Sequence, residues 1–146
     1  MRVLLSTIGS RGDVQPLVAL ALQLKALDQE IRLCVPPDFQ EWIESLGMPV
    51  TPIGPQLRPT GKASPITALP TPEQMRQMME ATVATQFETI ISPAKDCDMI
   101  VGATALQIAA PSVAESLGLP YIFVAYCPAV LPSPHHAPPA LGMLGD

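Results

Sequence analysis

RVLLSTIGSRGDVQPLVALALQLKAL, residues 2–27, decides the fold. Its first six residues, Arg2 to Thr7, are a mostly apolar run that starts at the amino terminus, the pattern of a strand buried on both faces. Residues 8–13 (IGSRGD) contain two glycines and read as a turn. From Val14 to Leu27 apolar residues recur at helical spacing, with Pro16 in the expected first turn, where its missing N–H goes unneeded. Strand, glycine turn and helix, in that order, open a βαβ unit.

The same alternation runs outward along the chain. Ile31 to Val35 reads as a second strand. Asp38 to Leu46 reads as a helix that starts on a capping residue and stops at Gly47. Val50 to Ile53 is a short third strand. The connection that follows, Gly54 to Thr71, is about 18 residues long, which compact domains keep only where a loop is functional or mobile. Pro72 to Ile91 predicts a long helix with Thr71 as its N-cap. Cys97 to Val101 predicts a fourth strand, and Tyr121 to Tyr126 a fifth. Between them, Leu106 to Leu117 predicts a helix bent near Pro111 and ended by Gly118. Strands alternating with helices predict an α/β fold, a Rossmann-like parallel sheet with helices on both faces.

Composition sets bounds. The 146 residues suit one domain, and only 14% are charged. That is below the roughly 25% of ordinary soluble domains, so part of the surface is expected to lie against a partner domain. The net charge of -5 and the scattered basic residues exclude general nucleic-acid binding. There is no long apolar span and no signal-peptide pattern, so neither stable membrane insertion nor secretion is expected, and a cytoplasmic location is the default. Cys34, Cys97 and Cys127 have no CxxC spacing. Cys34 and Cys127 lie in or beside apolar runs and read as buried reduced thiols. Prolines gather at 49–72 and 128–139, and the chain stops without a closing element, as if cut from a longer one.

Ligands of parallel sheets bind beyond the carboxyl ends of the strands, which places Gly9-Ser10-Arg11-Gly12-Asp13 at such a site. The glycines allow close approach of the backbone. The next helix offers free N–H groups, Ser10 a hydroxyl and Arg11 a fork of donors, a set suited to phosphate oxygens or sugar hydroxyls. The spacing is neither GxGxxG nor a P-loop. Asp13 has two readings. It is a helix N-cap, or it is a general base that accepts a proton from an attacking hydroxyl. A carboxylate is too weak to deprotonate an alcohol beforehand, so transfer would be concerted with attack. The stripe Met75, Met78, Met79, Val83 and Phe87 reads as core or as the lining of an adaptable apolar cleft. Trp42 and Phe39 read as packing residues.

GSRGDVQP, residues 9–16, resembles the opening motif of the UDP-glycosyltransferase superfamily, in its branch of sterol and natural-product enzymes. The likeness extends to the actinobacterial glycopeptide-antibiotic glycosyltransferases, which act on vancomycin-type aglycones. VGAT (101–104), AESLGLP (114–120) and PSPHHAPP (132–139) look like the same group, so the resemblance covers essentially the whole chain. It implies the N-terminal, acceptor-binding half of a GT-B fold over residues 1–146, with the C-terminal donor-binding domain absent from this chain. It implies that Ser10, Arg11 and Gly12 meet the donor diphosphate and that Asp13 is the base of an inverting transfer. The sugar would move from a nucleoside-diphosphate sugar to a hydroxyl of a small-molecule or peptide aglycone. No DxD motif is evident, and the resemblance implies no metal and no cofactor beyond that co-substrate. Other branches carry a His in this loop. This chain does not, so a His–Asp dyad cannot be carried over.

Thr104 and Gln107, after the fourth strand, are candidate acceptor-binding residues, although Thr104 could equally cap the next helix. His135 and His136 are candidates in a proline-rich loop after the fifth strand, or a solvated pair in a linker. Residues 55–71 are a candidate flap over the acceptor. The competing function is a non-catalytic module that binds an aglycone or a nucleotide.

Overall fold

A computed structural model of the chain describes residues 1–56, 71–104, 106–128 and 131–135. Among the described residues five strands form one sheet: β1 (Arg2–Thr7), β2 (Glu30–Val35), β3 (Val50–Pro52), β4 (Met99–Ala103) and β5 (Tyr121–Val124). Their order is β3-β2-β1-β4-β5, and every neighbouring pair is parallel. The helices are α1 (Arg11–Ala26), α2 (Gln40–Ser45), α3 (Pro72–Ala94) and α4 (Ala110–Leu117), with a 3-10 turn at Pro37–Phe39 before α2. The expected α/β parallel sheet is the fold found.

The core has two sides because strand side chains alternate. Val3, Leu5, Leu33, Val35, Val101 and Ala103 face α1 and α2, where Val14, Leu17, Val18, Ala21 and Ile43 meet them. Leu4, Cys34 and Ile100 face α3 and α4, meeting Ile90, Ala94, Ala110, Val113 and Ala114. β1 is central and buried on both faces, which accounts for its near-continuous apolar run.

Three helix starts differ from the sequence expectation, each for a local reason. α1 begins at Arg11 rather than Val14, because Ser10 is its N-cap and Asp13 its third residue. Pro16 therefore sits in the second turn and withholds a hydrogen bond from the Gly12 carbonyl. α4 begins at Ala110 rather than Leu106, so Pro111 opens the helix instead of bending it. Asp38 lies in the 3-10 turn, and α2 starts two residues later. The stops at Gly47 and Gly118 are as expected, both with positive φ. β4 sits two residues later than predicted because α3 continues through Pro93 to Ala94. The loop over 57–70 lies outside the described residues, and so does most of the candidate flap.

α3 is the longest element. At 1.5 Å per residue its 23 residues span about 34 Å, against about 13–20 Å for strands of four to six residues. Its carboxyl end is tied to the amino ends of the strands. Arg32 donates to the carbonyls of Pro93 (2.9 Å) and Lys95 (3.2 Å), a cation on the negative end of the helix. Further up, Gln86 bridges to the segment just after β4. The turns of α3 before Gln86 therefore project past the carboxyl edge of the sheet. Only Gln86, Ile90 and Ala94 of this helix are fully buried.

Candidate functional site at the carboxyl edge of β1 and β4

The strand order reverses direction between β1 and β4. From β1 the chain moves outward to β2, whereas from β4 it moves the other way to β5. The helices leaving these two strands lie on opposite faces of the sheet and open a crevice at the carboxyl edge. The turn Gly9–Asp13 sits there.

The turn is built around one carboxylate. The Ser10 N–H donates to Asp13 Oδ2 at 2.7 Å, and the Ser10 hydroxyl donates to the same oxygen at 3.0 Å. Oδ1 of Asp13 carries no hydrogen bond among the described residues, and the residue is half-buried. Gly9 makes room for this arrangement. Its φ is +149°, and a Cβ there would fall into the carboxylate, 2.6 Å from Cγ. Gly12 is different. A Cβ would sit an ordinary 3.7 Å from the Ser10 hydroxyl, so nothing inside the chain requires a glycine at this exposed position.

Arg11 is exposed, and its position is set from the side. Its Nε donates to Gln15 Oε1 at 3.1 Å, and its guanidinium lies over the Trp42 ring at 5.3 Å. Trp42 is half-buried against the α1–α2 side of the core, as expected of a packing residue, and Phe39 packs there too.

A second segment closes the crevice from β4. Thr104 has φ +71°, a costly conformation for a β-branched residue. Its hydroxyl donates to the Ile8 carbonyl at 2.8 Å and ties the turn after β4 to the turn after β1. It does not cap α4. Gln86 instead braces the segment just before α4: its Oε1 accepts from the N–H groups of Ile108 (3.0 Å) and Ala109 (3.2 Å), while its Nε2 donates to the Leu106 carbonyl (2.9 Å). Sequence reading missed Gln86. The signal was present: a polar residue four positions before Ile90 lies on the buried face of the helix.

Gln107 is buried and points inward, its amide donating to the Ser6 hydroxyl. Its Oε1, and Oγ1 of the buried Thr7 at the end of β1, have no hydrogen-bond partner among the described residues. His135 is exposed, with its backbone N–H on the Ser133 hydroxyl, and no hydrogen bond links it to the Ser10–Asp13 turn among the described residues. His136 lies outside the described residues. The sequence pattern places Tyr126 at the end of the fifth strand. It follows β5 instead, and its hydroxyl donates to the Asp13 carbonyl at 3.1 Å. Burial, and then the Asp13 charge, push this phenol up to about 12, so it stays a donor at neutral pH. Sequence gave no signal for that contact.

The two buried cysteines are as expected for Cys34 and as found for Cys97. Burial pushes the Cys34 thiol up to about 12 and also raises Cys97. Cys127 is exposed, contrary to expectation, because β5 ends at Val124 and the chain turns outward before it. No helix among the described residues is long and apolar enough to cross a membrane.

The family model of the glycosyltransferase family 28 N-terminal domain matches residues 3–133. The chain belongs to this family. Among its relatives, the glycosyltransferase GtfE of Amycolatopsis orientalis is 47% identical over 95% of this chain and 34% of its own length. The vancomycin aglycone glucosyltransferase of the same organism is 45% identical over 97% of this chain and 35% of its own length. The chain thus spans about a third of the length of these relatives. Among solved structures, the glycosyltransferase SsfS6 of Streptomyces sp. SF2575 superposes with a TM-score of 0.61 at 24% identity, over 84% of this chain and 38% of that one. That likeness concerns the fold, which is the Rossmann-like half of a GT-B glycosyltransferase. Family membership agrees with the resemblance carried by residues 9–16.

Proposed function

We propose that this chain is the N-terminal, acceptor-side half of an inverting glycosyltransferase, with a C-terminal donor domain supplied by further polypeptide. The donor is a nucleoside-diphosphate sugar, and the acceptor is a hydroxyl of a natural-product aglycone of the glycopeptide kind. Support for the acceptor class comes from the similarity to a vancomycin aglycone glucosyltransferase.

The observation that carries the reading is the split use of the Asp13 carboxylate. Oδ2 is held by Ser10, which fixes the side chain, and Oδ1 has no partner among the described residues. One oxygen serves the helix cap while the other is left to accept a proton. The acceptor oxygen attacks the anomeric carbon in line with the leaving group. Asp13 takes its proton as the new C–O bond forms, and the nucleoside diphosphate leaves with the electron pair of the broken bond. Ser10, Arg11 and Gly12, at the N-terminus of α1, meet the diphosphate. The N–H groups of Arg11 and Gly12 and the helix dipole favour its growing negative charge, while the Ser10 N–H is held by Asp13. The tolerance of Gly12 for a Cβ within the chain supports the assignment, since the space it leaves is then for something outside the chain. Thr104, Gln107, His135 and His136 are assigned to the acceptor side on the family resemblance.

The test is Asp13→Asn in this chain fused to the donor half of a relative. An amide oxygen can still accept from the Ser10 N–H, so the cap survives, but the amide is no base. Sugar transfer is expected to fall by about 10²-fold or more, with a melting temperature close to that of the parent. Undiminished transfer would remove Asp13 from the reaction.

A further inference from the structure

We infer that Trp42, together with Gln15, is a positioning residue that holds the Arg11 guanidinium ready for phosphate oxygens. The inference rests on the proposed diphosphate contact and extends it to a residue on a different element. Trp42 stands at the start of α2, in the turn region beyond the carboxyl end of β2, and its ring is anchored against the core. The Arg11 side chain leaves α1 and lies over the face of that ring at 5.3 Å. This distance is within the range at which the ring quadrupole attracts a cation. Gln15, one turn on along α1, takes the Nε proton at 3.1 Å.

These two contacts fix different freedoms. The indole face holds the guanidinium over one side of α2. The Gln15 bond directs Nε back at α1. The guanidinium has five N–H donors. The other four, on Nη1 and Nη2, make no hydrogen bond among the described residues. A planar fork with its outer edge free matches the two oxygens of a phosphate group. An exposed arginine without such supports would lose side-chain entropy on binding. Here much of that loss has already occurred in the folded chain. Lysine in place of Arg11 would keep the charge but neither stack as a plane nor present two parallel donors.

Trp42 is the only tryptophan in the chain, so its fluorescence reports this pair without interference. The experiment titrates the chain with inorganic pyrophosphate at low ionic strength, following Trp42 emission and, for variants that lack the indole, calorimetric heat. Trp42→Leu is expected to weaken pyrophosphate binding about two- to five-fold, the range of an exposed cation–π contact. Trp42→Phe, which keeps an aromatic face, is expected to lose less. In an Arg11→Gln background, Trp42→Leu and Trp42→Phe should have no further effect, because the guanidinium they would orient is gone. A purely structural role for Trp42 would weaken binding in both backgrounds alike, and that result overturns the inference. If Trp42→Leu does not fold, the Trp42→Phe pair decides by the same criterion. Affinity that falls with Arg11→Gln yet ignores Trp42 overturns the positioning role alone. Affinity that Arg11→Gln leaves untouched overturns the diphosphate reading, and the positioning role with it.

Discussion

Two glycines three residues apart do opposite work. Gly9 is required by the chain itself, because its φ of +149° and the Asp13 carboxylate against it leave no place for a methyl group. Gly9→Ala should cost about 2–3 kcal/mol, combining the loss of the Asp13 cap with an unfavourable backbone region. Gly12 sits in the first turn of α1 with open space around it. Gly12→Ala should stabilise the domain by about 0.5 kcal/mol, because alanine has less backbone freedom to lose. The same change should weaken diphosphate binding. Urea unfolding of both variants checks the pair, and a Gly12→Ala that destabilises would mean that glycine is needed for folding. The thiols give a second check at this scale. Ellman's reagent at pH 8 should modify Cys127 rapidly, while Cys34 and Cys97 stay protected until the chain unfolds. The raised thiol of Cys34 and phenol of Tyr126 set the sign of the alkaline response. In the unfolded chain these groups lose their protons near 9 and 10, and in the folded chain only near 12. Between those limits the folded state binds more protons, so stability is full below about pH 9 and falls as the pH rises toward 12. Denaturant midpoints at pH 8 and pH 11 should show that decrease.

Strand and helix periodicities were legible, and so were the two glycine stops, because burial and backbone sterics act locally. Helix starts were less legible. The beginning of α1 depends on which of Ser10 and Asp13 caps it, and both are good capping residues. The beginning of α4 follows a segment held by Gln86, twenty-odd positions away, which accepts from the N–H groups of Ile108 and Ala109 just before the helix. The stripe on α3 reads as core or as cleft lining, and the length of the helix separates the two. Met75, Met79 and Val83 have the spacing of a core face, but the sheet ends before they reach it, and Met78 is 61% exposed. They stand instead over the carboxyl edge, and Met79, Val83 and Phe87 line an open apolar groove of about 610 Å³ with Glu80 and Glu88. The second reading, an adaptable cleft, therefore fits Met79 and Val83, while Phe87 also packs against the core. Met79→Gln should change stability by no more than about 0.5 kcal/mol, since Met79 is only half-buried and lines an open groove. In the fused enzyme it should raise the KM for an aromatic aglycone several-fold with little change in kcat. A thermal melt and steady-state kinetics separate these effects. A large loss of stability would return the stripe to the core.

At the scale of the molecule, the sheet is unevenly covered. β1 is sealed on both faces, but β5, at the edge, is not. Ile122 and Phe123 are neighbours, so their side chains point to opposite faces, yet they are 47% and 42% exposed. A parallel strand needs cover on both faces, and an uncovered apolar edge strand invites pairing with another chain. The low charged fraction of the sequence points the same way. We therefore expect further polypeptide to lie over β5 in proteins of the relatives' full length, of which this chain spans about a third. Two measurements with opposite signs test this. In the 146-residue chain, Phe123→Lys should reduce concentration-dependent association, seen by sedimentation, because a charge at an open edge opposes pairing. In a full-length fusion the same substitution should instead destabilise the domain by about 3 kcal/mol or more, because it places an unpaired charge in an apolar contact. If Phe123→Lys is neutral in both settings, β5 faces solvent in the complete protein. On the two-domain reading proposed above, the donor half would then be met across the crevice that holds Asp13.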